Sequence, residues 1–316
     1  MRLKTVIAVV GLCLAGLFSP AGAAQSDANE ACVSCHDDED LPDMSQSAHG
    51  FSAGSRAPEC IACHGPSLTH VKKPPGVKEQ PKPDITFGKT YGKVTPVAAA
   101  QRSRACQSCH DRESKRSLWV GSAHQAADVS CDTCHKVHAN KDAKLASKLA
   151  QTEFCLTCHK TQRSQISRAS HHPMPEGKMT CSDCHNVHGS AGPKLAKRDS
   201  TNATCYTCHA EKRGPFVHQH EPVADDCSNC HNPHGSTVAG MLTARAPMLC
   251  QQCHTPHVAG EVGTVAGRGA PLVSGMSGGK NTVNMWQGRS CMNCHTQIHG
   301  SNNPSVSNPT PQLWLR

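Results

Sequence analysis

The one long apolar run lies near the N-terminus. Thr5–Phe18 is a nearly continuous apolar run, preceded by Arg2 and Lys4 and followed by the small residues Ala21-Gly22-Ala23. This order predicts a cleaved secretory signal peptide over residues 1–24 rather than a membrane span, because the run is too short to cross a bilayer. No later segment approaches the roughly 20 apolar residues that a spanning helix needs. Alternating strand patterns are absent. Short helices are expected to run up to recurring Cys clusters, as in 201–212, with turns of Pro, Gly, Asn and Ser between them. The expected fold is mostly coil with short α-helices and little or no β-sheet. Two stretches lack Cys clusters. Residues 65–105, with Pro74, Pro75, Pro81, Pro83, Pro96 and six Lys, read as an extended basic loop; residues 258–290 are Gly-rich and read as flexible or held by a partner.

Composition changes the picture. The 316 residues include 21 Cys and 22 His but only 3 Trp, 2 Tyr and 5 Phe. A chain of this length normally buries large aliphatic and aromatic cores, so something other than side chains must fill this interior. Cys13 leaves with the leader, and Leu12 before it argues against a lipid anchor. The remaining 20 cysteines form ten identical CxxCH pentapeptides. They pair Cys32 and Cys35 with His36, Cys60 and Cys63 with His64, Cys106 and Cys109 with His110, Cys131 and Cys134 with His135, and Cys155 and Cys158 with His159. The series continues with Cys181 and Cys184 before His185, Cys205 and Cys208 before His209, Cys227 and Cys230 before His231, Cys250 and Cys253 before His254, and Cys291 and Cys294 before His295.

A lone CxxC can be a zinc half-site or a redox dithiol, but zinc does not require His after every pair. Covalent haem c does. Two thiols at this spacing reach the two vinyl groups on one porphyrin edge, and the next residue presents its imidazole to the iron. The expected cofactor is haem c, ten copies, with the motif histidines as proximal ligands.

Twelve histidines remain, and they fall into register with five tandem two-haem units: 32–70, 106–138, 155–188, 205–234 and 250–299. In each unit one candidate lies between the motifs: His49, His124, His171 or His172, His218 or His220, and His257. Another trails the second motif: His70, His138, His188, His234 and His299. His172 lies 13 residues after His159, as His49 does after His36; His220 lies seven before Cys227, as His124 does before Cys131. His172 and His220 are therefore the expected ligands of the doublets. A trailing His three residues after a motif His cannot reach the far face of its own iron, so it must serve a neighbouring haem; spacing leaves open which one.

Irons closed on both faces move electrons, whereas substrate activation needs an open position. Ten candidates for ten irons therefore favour an electron-transfer protein over an enzyme. A soluble periplasmic shuttle and a multihaem reductase with one open haem are the competing readings. The formal charge of +8 falls to about +6 without the leader and to roughly −4 with ten oxidised haems, which removes nucleic acid as a partner. The acidic run Asp37-Asp38-Glu39-Asp40 is read as a solvated turn, with a docking patch or Fe(II) approach site as the sharper alternative.

The segments CSDCHNVHGS, NATCYTCHAEKRGP, CSNCHNPHGS, RAPMLCQQCH and GRSCMNCHTQIHGSNNPS resemble the MtrA family of outer-membrane decahaem cytochromes, with its relatives MtoA, PioA and DmsE, over roughly residues 30 to 304. The resemblance implies an elongated chain of bis-His haems threaded into an outer-membrane β-barrel porin. It would link periplasmic or inner-membrane electron carriers with extracellular iron or a cell-surface multihaem cytochrome, in Fe(II) oxidation or metal reduction. The family pattern has one distal His at each doublet, and His172 and His220 match it. About seven residues stand between the leader and Cys32, fewer than the family pattern leads one to expect. A porin also answers a physical need, since a polar coil cannot face lipid without a protein sheath.

Overall fold

The computed structural model describes residues 27–36, 47–50, 57–88, 94–139, 141–254, 291–292 and 295–302. The leader, the acidic run 37–40, the stretch 258–290, His257 and Cys294 lie outside the described residues. The described helices are α1 (Asp27–Val33), α2 (Cys60–His64), α3 (Leu68–Val71), α4 (Ala99–His110), α5 (Ala123–Ala126), α6 (Cys131–Cys134), α7 (Lys148–Cys155), α8 (Lys160–Ile166), α9 (Cys181–Cys184), α10 (Thr201–Cys205) and α11 (Glu221–Asp225). Among the described residues there is no strand, only four isolated antiparallel bridges: Ser170 with Ser236, His185 with Ala196, His218 with Ser301, and His231 with Leu242.

The helices meet the pentapeptides in two ways, where the sequence pattern leads one to expect one. Helices α1, α4, α7 and α10 run into the first motif of a unit. Helices α2, α6 and α9 instead open at the first Cys of the second motif. Capping chemistry explains the difference. The Ser147 and Ser200 hydroxyls accept from Ala150 and Ala203 backbone N–H groups at 3.1 and 3.0 Å, starting α7 and α10 a full turn before their cysteines. At the second motifs the caps stand directly before the Cys. The Asp183 carboxylate accepts from the Thr180 N–H at 3.0 Å, and Asp226 accepts from the Ser228 N–H at 2.7 Å, so the chain arrives extended. The stretch 65–105 is likewise not all loop, since α3 and the start of α4 fall within it.

Helices of a unit are tied through the residue three before its first Cys. Asn29 Oδ1 accepts from the Cys60 N–H at 2.9 Å, and Asn202 Oδ1 from the Cys227 N–H at 2.7 Å. Thr152 donates to Thr180 at 3.1 Å, and the Ser103 hydroxyl bonds the Cys131 sulfur. Ser103, Thr152 and Asn202 are buried. Four of the five motif pairs are thus joined by a polar contact rather than an apolar one; Pro247 stands at this position in the fifth unit. Asn202 also donates to Val223 and Ala224 carbonyls at 2.8 and 3.0 Å. Asn202→Leu is expected to leave these groups unpaired and to cost about 1–3 kcal/mol, read as a lowered thermal midpoint of the haem-loaded protein; an unchanged midpoint would refute the tie.

The aliphatic core is small. Leu156, Ile166 and Met174 form a buried cluster with Met179 against it. Val33, Ile61 and Met292, all inside pentapeptides, are exposed in the polypeptide alone. Some apolar surface is therefore left at the motifs themselves, where a flat apolar ring would cover it.

Candidate metal centres

The cysteines place the motifs in single file. Within units the first cysteines touch: Cys32 hydrogen-bonds with Cys60, Cys106 with Cys131, Cys155 with Cys181, Cys205 with Cys227, and Cys250 with Cys291. Between units the second cysteines are neighbours: Cys63 feels Cys109, Cys134 feels Cys158, Cys184 feels Cys208, and Cys230 feels Cys253. Hydrogen-bonded first cysteines and electrostatically coupled second cysteines thus alternate along the described motifs. In two of the pairs the thiol that receives a hydrogen bond is acidified, as at Cys131 and Cys181, while its partners Cys106 and Cys155 are pushed up. No described cysteine is in a disulfide.

Opposite the motif histidines stand the spare ones. His36 faces His70 with ring centroids 6.1 Å apart, His110 faces His49 at 5.9 Å, and His64 faces His138 at 5.9 Å. His159 faces His124 at 6.1 Å, His135 faces His188 at 6.0 Å, and His209 faces His172 at 6.3 Å. His185 faces His234 at 6.2 Å, His254 faces His220 at 6.0 Å, and His231 faces His299 at 6.0 Å. Two imidazoles bonded to one metal ion at about 2.0 Å each leave their ring centroids roughly 6 Å apart. Nine pairs therefore have the separation that one shared metal ion requires. The tenth motif histidine, His295, is described, but His257 is not.

The pairing is staggered. A between-motif His faces the first motif of the next unit: His49 faces His110, His124 faces His159, His172 faces His209, and His220 faces His254. A trailing His faces the second motif of the preceding unit, as His138, His188, His234 and His299 do. Among the described histidines His70 alone turns back, onto the first motif of its own unit. At the doublets the structure brings His172 and His220 to facing positions. His171 instead donates through Nδ1 to the Arg168 carbonyl and sets Nε2 3.2 Å from Glu176, contacts that favour its protonated form. The His218 backbone pairs with Ser301.

Seven of the facing histidines have Nδ1 bonded to a backbone carbonyl. His64, His70, His124, His172, His185, His220 and His231 donate Nδ1–H to the carbonyls of Ile85, Pro81, Val187, Pro233, Lys194, Ile298 and Gly240 at 2.7–3.1 Å. This selects the tautomer whose Nε2 lone pair is free for a metal. Burial holds His64, His135, His138, His188 and His234 below the ordinary imidazole pKa, which keeps them in the neutral form that binds metal.

Comparison with known proteins agrees with this geometry. Residues 171–214 and 220–259 match the doubled CXXCH motif, and residues 60–148 match the cytochrome c-type protein NrfB-like family. The chain is 25% identical to the cytochrome c-type protein NrfB of Haemophilus influenzae over 168 residues, 47% of this chain and 72% of that one. It is 43% identical to the multiheme cytochrome MtrA of Shewanella baltica over 295 residues, 92% of this chain and 81% of that one. The chain belongs to the MtrA family of multihaem cytochromes. This MtrA-family chain is an electron-transfer cytochrome with covalently bound haem c. The residues present fit that group: paired thiols, facing imidazoles, exposed apolar side chains inside the motifs, and buried donors with no protein partner at Trp119 Nε1, Arg102 Nε and Arg116 Nε.

Two sets of positioning residues in this MtrA-family chain escaped the sequence reading. One is the polar residue three before the first Cys, whose recurrence as Asn29, Ser103, Thr152 and Asn202 is visible once the units are aligned. The other is the glycine after a trailing His. Gly189, Gly235 and Gly300 have φ of 116°, 134° and 136°. A Cβ on them would lie 1.9 Å from the Leu118 carbonyl oxygen, 2.2 Å from the Gln165 carbonyl oxygen and 2.2 Å from the Phe216 ring. The repeated His-Gly-Ser signature at 188, 234 and 299 was the signal.

Proposed function

We propose that this protein conducts electrons across the outer membrane from within a β-barrel porin, linking periplasmic or inner-membrane carriers with extracellular iron. The observation that carries the reading is the file of described motifs joined by histidines that reach across from neighbouring units. Ten haem c groups would be held by the twenty motif cysteines. Proximal ligands are the ten motif histidines; distal ligands are His49, His70, His124, His138, His172, His188, His220, His234, His257 and His299. Bound there, haem c supplies one-electron chemistry at a closed, low-spin iron.

The chain's own residues have three tasks. The facing imidazoles exclude exchangeable ligands, which leaves no position for substrate. The carbonyls on Nδ1 orient the rings. The staggered histidines fix each centre to the next unit, so the spacing between centres is set by the fold. A polar chain of short helices cannot face hydrocarbon, and no described helix is long and apolar enough to cross a membrane. The polarity of the chain and its likeness to MtrA support a barrel sheath and an exported, periplasmic and outer-membrane location. The five tandem units form one electron-transfer domain over residues 25–316, after removal of 1–24. The acidic run 37–40 supports Fe(II) approach at one end.

The test is reconstitution. Vesicles enclosing an electron acceptor should be reduced from outside only when both this protein and a barrel partner are present. Reduction in solution alone, with none across the vesicle wall, would leave the soluble shuttle. Carbon monoxide binding by one haem in ten would leave the reductase.

A further inference from the structure

We infer that Glu113 holds down the reduction potential of the iron at the third motif by placing a carboxylate on the imidazole of His110. The inference rests on the reading of His110 as an axial ligand. Its observation is a difference in partner type. Where other facing histidines have a described Nδ1 hydrogen bond, they donate to uncharged backbone carbonyls. His110 Nδ1 lies 2.6 Å from Glu113 Oε1. The only comparable arrangement among the described facing histidines is His209 with Glu211 at 3.7 Å, beyond hydrogen-bond reach.

The turn after α4 builds the contact. The Arg116 N–H donates to the Glu113 carbonyl at 2.8 Å, which puts both side chains over His110. The other Glu113 oxygen is ion-paired with Arg116, whose Nη2 also lies 3.3 Å from His110 Nδ1. The carboxylate is thereby held in place rather than left to sample solvent.

A carboxylate accepting from Nδ1–H draws the proton toward itself and increases electron density on the ring. Nε2 becomes the stronger donor and favours ferric over ferrous iron. A carbonyl does this less, because it carries no net charge. Arg116 acts in the opposite sense, since its positive charge near the iron favours the reduced state. The reaction concerned is a one-electron reduction of ferric to ferrous iron, with the electron supplied by the carriers of the proposed function or by an electrode. The file of centres is then not equipotential: the third stays oxidised when its neighbours accept electrons.

The experiment uses the full haem-loaded protein, its Glu113→Gln variant and its Arg116→Gln variant, titrated electrochemically and followed by electron paramagnetic resonance. Gln keeps the shape and an acceptor oxygen but removes the charge. In Glu113→Gln, a ferric low-spin signal of about one-tenth of the intensity should be reduced earlier. At a fixed potential its ferrous-to-ferric ratio should rise about tenfold, equivalent to about 59 mV. Arg116→Gln removes both the opposing charge and the ion pair that holds the carboxylate, so it should shift the same signal by less than Glu113→Gln does. An earlier reduction in Glu113→Gln supports the inference; no shift, or a later reduction, overturns it. A high-spin tenth in the unsubstituted protein would overturn the ligation reading first, whereas ten low-spin haems with unmoved potentials would overturn this inference alone.

Discussion

Gly235→Ala is expected to convert one haem in ten from low-spin to high-spin and to open it to carbon monoxide. Gly235 follows His234, which faces His185 with ring centroids 6.2 Å apart. A Cβ at this position would sit 2.2 Å from the Gln165 carbonyl oxygen and 3.2 Å from His171 Cβ. Relief requires a movement of more than about 1 Å, whereas metal–ligand bonds tolerate about 0.2 Å. Gln165 cannot yield easily, because the next residue, Ile166, is buried against Leu156 and Met174 at the end of α8. The strain costs about 1–3 kcal/mol, and the segment that can move to relieve it is the one carrying His234. Gly76→Ala is the control. Its φ of 84° makes alanine unfavourable by about 1–2 kcal/mol, but nothing lies within 4 Å of the added Cβ. It should lower stability while keeping ten low-spin haems. A Gly235→Ala protein with no high-spin signal would show that the glycine does not position the ligand.

The same glycines mark what could be read from the chain and what could not. Haem attachment is written locally, in five consecutive residues, so the motifs and the haem class follow from spacing alone. The absence of strands among the described residues follows too, because no segment alternates. The partner of each spare histidine does not, because the reach from His124 to His159 or from His188 back to His135 is set by how units lean on one another. That lean depends on contacts such as Gly189 against Leu118 and Asn202 against Cys227, which appear in the sequence only as single small or polar residues. Helix starts at the second motifs were hidden for a related reason. A Thr-Cys or Asp-Cys junction reads as part of a continuing helix until the cap is seen to face the Cys turn.

Shortening the protein to residues 1–200 is expected to leave six haems, of which one binds carbon monoxide. The stagger dictates the number. The fragment keeps the motif histidines His36, His64, His110, His135, His159 and His185, and with them His70, His138, His49, His188 and His124 as facing partners of the first five. His185 loses His234, and His172 loses His209. If units were coordinated internally, the same cut would open nothing and all six irons would stay low-spin. The fragment also loses the Ser170 bridge to Ser236 and the Gly235 contact with Gln165, so the end of α8 should loosen while the motifs before it keep their partners. Six closed haems, or several open ones, would both count against the stagger. The physical consequence is that cutting between units leaves one unsatisfied iron site and one unused histidine. A file tied in this way resists division into two-haem modules, and under the proposed ligation the staggered histidines would hold the centres in sequence.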